Sequence, residues 1–282
     1  MAANRPSPLV RRESLGGPYF LLTFAHDEVA SEARAGQFVM LKAGESADPP
    51  LRRPVSVMAV DERQGTFTVF LKTIGAGTRA LSVLAEGETA QCLGPLGHPF
   101  TLPAEGMLAA FVGGGYGVAP FHLFSKELRR EARDARLFYG GRSASDLVLL
   151  PWFEGLVPVE TATEDGSLGV TGFVTRPLED WLDRQTLPVK LYACGPEAMM
   201  HVVAKIGARR GLATELSLDP FMGCGVGTCL ACVVRTQRAD EERWKYRCAC
   251  TEGPVFDASV VVWPGSDTSN AKASAAATGG SR

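Results

Sequence analysis

Cys224, Cys229 and Cys232 stand in the spacing C-x4-C-x2-C, and Cys248 and Cys250 follow. Thiolates in this pattern can hold a cluster of the plant-type [2Fe-2S] kind. Three come from one tight loop and converge on one side, and a distant fourth closes the other. The filler suits that task. Gly223, Gly225 and Gly227 interleave with Cys224. Glycine allows positive φ and close backbone approach, so amide N–H groups can point at the sulfides. Thr228 and Ala231 are small enough to leave room for an inorganic core. A structural zinc site competes, but zinc ribbons prefer paired C-x2-C knuckles and only one half here has that spacing. Spacing alone does not choose between Cys248 and Cys250 for the fourth position. Five of the seven cysteines fall between 224 and 250. Without a secretory signal, such clustering favours metal binding over disulfides.

A second chemistry is carried by glycine. Gly113-Gly114-Gly115-Tyr116-Gly117-Val118-Ala119-Pro120 follows an apolar run and opens a helical one. Glycines there admit a pyrophosphate to the backbone, the helix N-terminus favours its charge, and Pro120 fits a first helical turn. The loop fails G-x-G-x-x-G in either frame, because Val118 or Pro120 stands where the last glycine should be. Alone it could be a tight strand–helix turn. Cys194-Gly195-Pro196 also ends a strand and starts a helix, which puts two such loops on one sheet edge. Thr163-Glu164-Asp165-Gly166-Ser167 adds polar groups suited to ribose hydroxyls, although Asp-Gly alone would explain a turn. Arg52-Arg53-Pro54-Val55-Ser56 opens a strand, and an arginine there could meet a phosphate bidentately, although taken alone the segment reads better as solvated arginines at a strand edge. His26, His98, His122 and His201 are scattered and form no acid–base set.

The elements that must position these groups fall into stretches. Residues 1–102 read as all-β, with short apolar runs at Tyr19–Phe24, Gln37–Lys42, Val55–Val60, Thr66–Lys72 and Glu88–Leu93 and one short helix at Thr78–Ala85. Many strands without helices between them predict a small antiparallel barrel. Residues 103–212 alternate strands (Leu108–Val112, Arg136–Tyr139, Val157–Thr161, Lys190–Cys194) with helices (Pro120–Arg133, Thr175–Leu182, Pro196–Arg210). That alternation predicts a doubly wound parallel sheet, whose ligands sit outside the carboxyl ends of the strands. Residues 213–265 hold the cysteines and end in a strand-like run, Ala258–Trp263. Residues 266–282 lack large apolar side chains and are expected to be a disordered tail.

Composition sets the limits. The 282 residues are 45% apolar and 21% charged, which suits globular domains rather than overall disorder. Lys+Arg number 29 against 31 Asp+Glu, so no basic face for nucleic acid is expected. The longest uncharged stretch, Gly106–Ser125, is broken by glycines and Pro120 and does not read as a membrane span. A soluble cytoplasmic protein is expected.

Together these motifs resemble the ferredoxin–NADP reductase superfamily, which pairs a flavin-binding barrel bearing R-x-[YFVI]-S with a nicotinamide domain bearing GGGxGxxP and CGP. The order of barrel, nucleotide domain and C-terminal [2Fe-2S] module is similar to that of the electron-transfer subunits of NAD-dependent, two-subunit dihydroorotate dehydrogenases. Further matching segments are Gly36-Gln37-Phe38, Gly75-Ala76-Gly77-Thr78, Gly94-Pro95-Leu96-Gly97, Gly172-Phe173-Val174 and Cys250-Thr251-Glu252-Gly253-Pro254-Val255-Phe256, and the resemblance spans about residues 8–264. It implies that Arg53, Pro54, Val55 and Ser56 hold FAD with Phe70, Leu71, Lys72, Gly77 and Thr78. It implies that Gly113, Gly114, Gly115 and Gly117 with Cys194, Gly195 and Pro196 receive NAD. Cys250, which immediately precedes the Thr-Glu-Gly-Pro-Val-Phe segment, joins Cys224, Cys229 and Cys232 as cluster ligand, leaving Cys248 spare. The implied activity is an electron conduit, an oxidoreductase subunit of pyrimidine biosynthesis with no catalytic acid or base of its own. Its partner would be an FMN-containing subunit oxidising dihydroorotate to orotate, in a heterotetramer of two plus two. Relatives with the same parts serve as flavin/iron–sulfur subunits of NAD(P)H:ferredoxin reductases or sulfhydrogenases, and a zinc-stabilised binding module is the alternative of a different class. Pro99 after His98, where a glycine is usual, and the polar tail depart from the pattern.

Overall fold

Strand pairing begins at the N-terminus. A computed structural model describes residues 4–44 and 50–264. Six antiparallel strands, β1 (Asn4–Ser14), β2 (Tyr19–Ala25), β3 (Phe38–Ala43), β4 (Arg53–Asp61), β5 (Thr66–Lys72) and β6 (Thr89–Leu96), close a barrel in the order β1-β2-β5-β4-β3-β6. Alternation explains β5: Phe67, Val69 and Leu71 fill the barrel, while Thr68 on the other face is only half-buried. Phe70, also on that outer face, is buried by stacking on Tyr19. The strand β1 and the short helix α1 (Asp27–Glu32), capped by His26, are additions to the expected runs. The expected Thr78–Ala85 helix lies earlier, as α2 (Ala76–Ser82), because the Thr78 hydroxyl accepts from the Ile74 and Gly75 amides and fixes the first turn.

The second half is a seven-stranded sheet with the order β10-β9-β8-β7-β11-β12-β15. Its strands are β7 (Leu108–Gly114), β8 (Ala135–Gly141), β9 (Val159–Thr163), β10 (Val170–Thr171), β11 (Val189–Cys194) and β12 (Thr214–Ser217), all parallel, with β15 (Val255–Asp257) antiparallel at the edge. Helix α3 (Ala119–Arg130) covers one face, where Phe121 and Phe124 meet Phe111 and Tyr192. The short α4 (Leu150–Phe153) adds Phe153 to that layer. On the other face α5 (Thr175–Leu182) and α6 (Glu197–Arg210) pack Trp181, Met200, Val203 and Ile206 on Ala110, Val112, Phe138 and Leu191. Successive β7 residues thus serve opposite layers, as a strand buried on both faces requires. Strand order reverses between β7 and β11, and that is where ligands of such sheets sit.

Between β12 and β15 the chain leaves the sheet as the cysteine loop, a hairpin of β13 (Val233–Thr236) and β14 (Lys245–Cys248), and the short helix α7 (Ala249–Glu252). The 213–265 stretch therefore supplies the last two strands at one side of the sheet, β12 and the edge strand β15, as well as the cysteines. The strand-like run Ala258–Trp263 is not a strand. The Asp257 side chain accepts from the Ser259 amide and turns the backbone into a 3-10 turn over Ala258–Val260, leaving only a single bridge from Val261 to Thr236. The expected tail, 266–282, lies outside the described residues. Among the described residues, no helix is long and apolar enough to cross a membrane.

Candidate functional site

One cavity of about 870 Å³ opens where the barrel, the sheet edge and the cysteine module meet. The barrel contributes Arg53, Pro54, Val55 and Ser56 from the start of β4, Phe70, Leu71 and Lys72 from the end of β5, and Gly77 and Thr78 from α2. Every residue expected to hold flavin is in this wall. Gly77 is required by contact, since a β-carbon there would stand 2.9 Å from the Arg53 side chain. Arg53 Nε is buried without a hydrogen-bond partner. Arg53 lines the cavity, and a buried guanidinium nitrogen without a partner is costly unless an anion meets the group, so this wall fits a phosphate-bearing cofactor.

The sheet contributes Gly117, Cys194, Gly195 and Pro196, from the two loops that flank the reversal of strand order. The loops touch. A β-carbon on Gly117 would lie 2.5 Å from the Cys194 carbonyl oxygen. The expected residues Gly113, Gly114 and Gly115 are not part of the lining. Gly113 gives space to Val118, and Gly114 to Pro196 and Met199, so they let the loops close rather than face the cavity. The third loop is tied to its neighbour: Ser167 donates to Asp165 (2.6 Å) and accepts from the Ala144 amide (2.8 Å).

Sequence reasoning gave several lining residues no role in the site: Tyr116, although it lies within the glycine loop, and Asp219, Phe221, Tyr246 and Trp263. Asp219 follows β12 at the carboxyl end of the sheet, the position where such a residue could have been sought. It is open to the cavity yet surrounded by protein, and burial raises its carboxyl. Burial likewise raises the Tyr116 phenol, with the Asp219 charge adding to the effect.

The cysteine loop backs onto this cavity through Pro220, Phe221 and Met222. Gly225 and Gly227 have φ of +78° and +79°, and a side chain on Gly225 would strike Met40 of the barrel. These bends aim amides at sulfur. Cys224 Sγ accepts from Val226 N and Cys229 N, each at 3.4 Å, and Cys250 Sγ accepts from Gly227 N at 3.2 Å. Burial opposes ionisation of Cys224, but those amide bonds outweigh it and bring the thiol down to about 7. Burial and the nearby Cys232 push Cys250 up to about 12, an effect a bound cation reverses. Cys248 Sγ instead faces the Gly227 carbonyl oxygen at 3.9 Å. Cys232, Cys248 and Cys250 are buried, and Cys229 is exposed. Among the described residues, no three Cys, His, Asp or Glu side chains are gathered as around a single metal ion, whereas a two-iron core takes two pairs of thiolates. Donor amides, tight glycines and four thiols fit such a core. Arg247 braces the far side, bonded to Thr236, Glu241 and Glu252.

Comparisons with known proteins agree with this geometry. Residues 219–262 match the family model of the iron-sulfur cluster binding domain of dihydroorotate dehydrogenase B, and residues 111–205 match that of the oxidoreductase NAD-binding domain. A dihydroorotate dehydrogenase B (NAD(+)) electron transfer subunit from Desulforamulus reducens is 36% identical over 246 residues, covering 86% of this chain and 92% of the relative. One from Geobacillus thermodenitrificans is 37% identical over 265 residues, covering 93% of this chain and all of the relative. Among solved structures, an NADH-dependent reduced ferredoxin-NADP oxidoreductase superposes with a TM-score of 0.80 at 28% identity, over 93% of this chain and 92% of that one.

Proposed function

Since the chain belongs to the family of electron transfer subunits of dihydroorotate dehydrogenase B (NAD(+)), we propose that it carries electrons between NAD and a separate catalytic subunit through FAD and a [2Fe-2S] cluster. The observation that carries the reading is the single cavity, which joins the barrel wall and the dinucleotide loops and abuts the cysteine loop. When bound, FAD exchanges a hydride's two electrons with nicotinamide and single electrons with the cluster. The protein's part is to hold and align. Arg53, with its unpartnered Nε, would meet the flavin's pyrophosphate. Pro54, Val55, Ser56, Phe70, Leu71, Lys72, Gly77 and Thr78 would wall the rest. Gly117, Cys194, Gly195 and Pro196 would take the nicotinamide end of NAD, on a turn that Gly113, Gly114 and Gly115 let fold tightly. Cys224, Cys229, Cys232 and Cys250 would ligate the cluster, supported by the amides aimed at Cys224 and Cys250.

Exposed Cys229 is flanked by exposed Val226 and Leu230. This apolar rim is the face offered to the partner, an FMN-containing subunit oxidising dihydroorotate to orotate, in a two-plus-two heterotetramer. A cytoplasmic setting suits thiolates that must stay reduced. Co-expression of the tagged chain with such a catalytic subunit tests the assignment. The complex is expected to carry flavin and iron–sulfur absorption and to reduce NAD with dihydroorotate, while the chain alone does not. A colourless, folded chain with stoichiometric zinc, or a coloured chain that binds no such subunit, would overturn it.

A further inference from the structure

Lys72 is a second cation, beside Arg53, in the proposed flavin wall, and its position is set from the other domain. Its ammonium lies 4.9 Å over the Tyr19 ring and 3.5 Å from Asp146 Oδ1. Tyr19 donates to the same oxygen at 2.5 Å. Tyr19 and Lys72 belong to barrel strands β2 and β5, whereas Asp146 lies beyond β8 of the sheet. There the carboxylate is fixed by the Arg142 amide on Oδ2 (3.2 Å), and its backbone carbonyl accepts the Tyr139 hydroxyl (3.1 Å). The same short loop is bonded through the Ala144 amide to Ser167. The contact therefore runs from the cavity wall to the nucleotide edge of the sheet. Burial works against ionisation of Asp146, yet the bond from Tyr19 and the charge of Lys72 hold its carboxyl below the ordinary range.

We infer that Asp146 is a positioning residue that acts through Lys72 to set the reduction potential of the bound flavin. This rests on the flavin reading above. Flavin that has gained two electrons and one proton carries a negative charge that the oxidised form lacks, so a cation in its wall favours reduction and a carboxylate on that cation offsets it. Asp146 also keeps the ammonium against Tyr19, limiting how far it can turn into the cavity. Removing its charge should leave Lys72 uncompensated and raise the potential.

The test is spectroelectrochemical titration of flavin in the full-length holoprotein, with flavin content measured first. Asp146→Asn keeps the shape and is expected to shift the two-electron equilibrium toward reduced flavin by about tenfold, about 30 mV. Asp146→Glu restores the original potential. Lys72→Met shifts it the other way, and in that background Asp146→Asn adds nothing, as a double-mutant cycle requires of a residue acting through another. An Asp146→Asn protein with full flavin content and an unmoved potential overturns the inference. A shift that persists in the Lys72→Met background does so as well. Wild-type protein that retains no flavin overturns the flavin reading itself, and the inference with it.

Discussion

Cys248 and Cys250 compete on spacing but differ in what faces their sulfurs. Cys250 receives the Gly227 N–H, and Cys248 points at the Gly227 carbonyl oxygen. A donor stabilises a thiolate and an acceptor destabilises one. Cys250→Ser is therefore expected to lose nearly all bound iron and acid-labile sulfide, while Cys248→Ser keeps both. Iron and sulfide assays with the visible spectrum decide, and the reverse pattern would move the ligand to Cys248. At this scale the sequence was most legible where a residue type permits little else, as with the clustered cysteines and the glycine bends. Tyr116 and Asp219 were not legible, because nothing local marks a tyrosine or an aspartate as facing a cavity until the strands beside it are placed.

Helix α3 shows how an element carries pH sensitivity into the barrel–sheet junction. His122 on this helix is buried, its Nδ1 lies 3.1 Å from the Met58 carbonyl oxygen of β4, and its ring meets Phe153 edge-on. Burial, and then the charge of Lys126, lower it from 6.5 to about 4. The folded state thus holds His122 neutral where the unfolded chain would protonate it. That stability is complete above about pH 6.5 and is lost as pH falls toward 4, by about 3 kcal/mol in all. Thermal melts across this window should show the loss in wild type and a flatter profile in His122→Gln. Parallel profiles would refute the role. Elements with strong local signals matched their expected runs closely, such as α5 at Thr175–Leu182 and β5 at Thr66–Lys72. Those that depend on a partner did not. Charged and polar residues of β1 become a strand because β2 and β6 flank it. The Val-rich run after Asp257 looks like a strand, but the Asp257–Ser259 turn diverts it.

Across the molecule, barrel and sheet are joined by polar pins at both ends of the sheet. Asp146 and Tyr19 form one at the cavity end. At the far end, the largely buried pair Lys190–Glu215 (2.8 Å) grips Thr101 of the connector, whose carbonyl also accepts the Tyr192 hydroxyl. Lys190→Met would strand a largely buried carboxylate and is expected to cost about 3 kcal/mol in denaturant unfolding, with Lys190→Met/Glu215→Leu recovering part of it. If the single variant loses less than the double, the pair is not what holds the connector. The barrel and the parallel sheet were readable because each has its own periodicity. The joint between them was not, since its residues lie up to 127 positions apart in the chain.

The return of the chain from the cysteine hairpin to β15 constrains how the module can be engineered. The module begins beside β12 and ends as the strand paired with it, and the Gly253 carbonyl accepts from His98 at the end of the barrel. It is stitched into the fold at both margins rather than hung from one end. A truncation at residue 218 would leave an exposed sheet edge rather than a simpler working protein. Grafting the module onto a two-domain relative would require transplanting β15 as well, so gain or loss of this redox centre calls for a matched exchange at both seams.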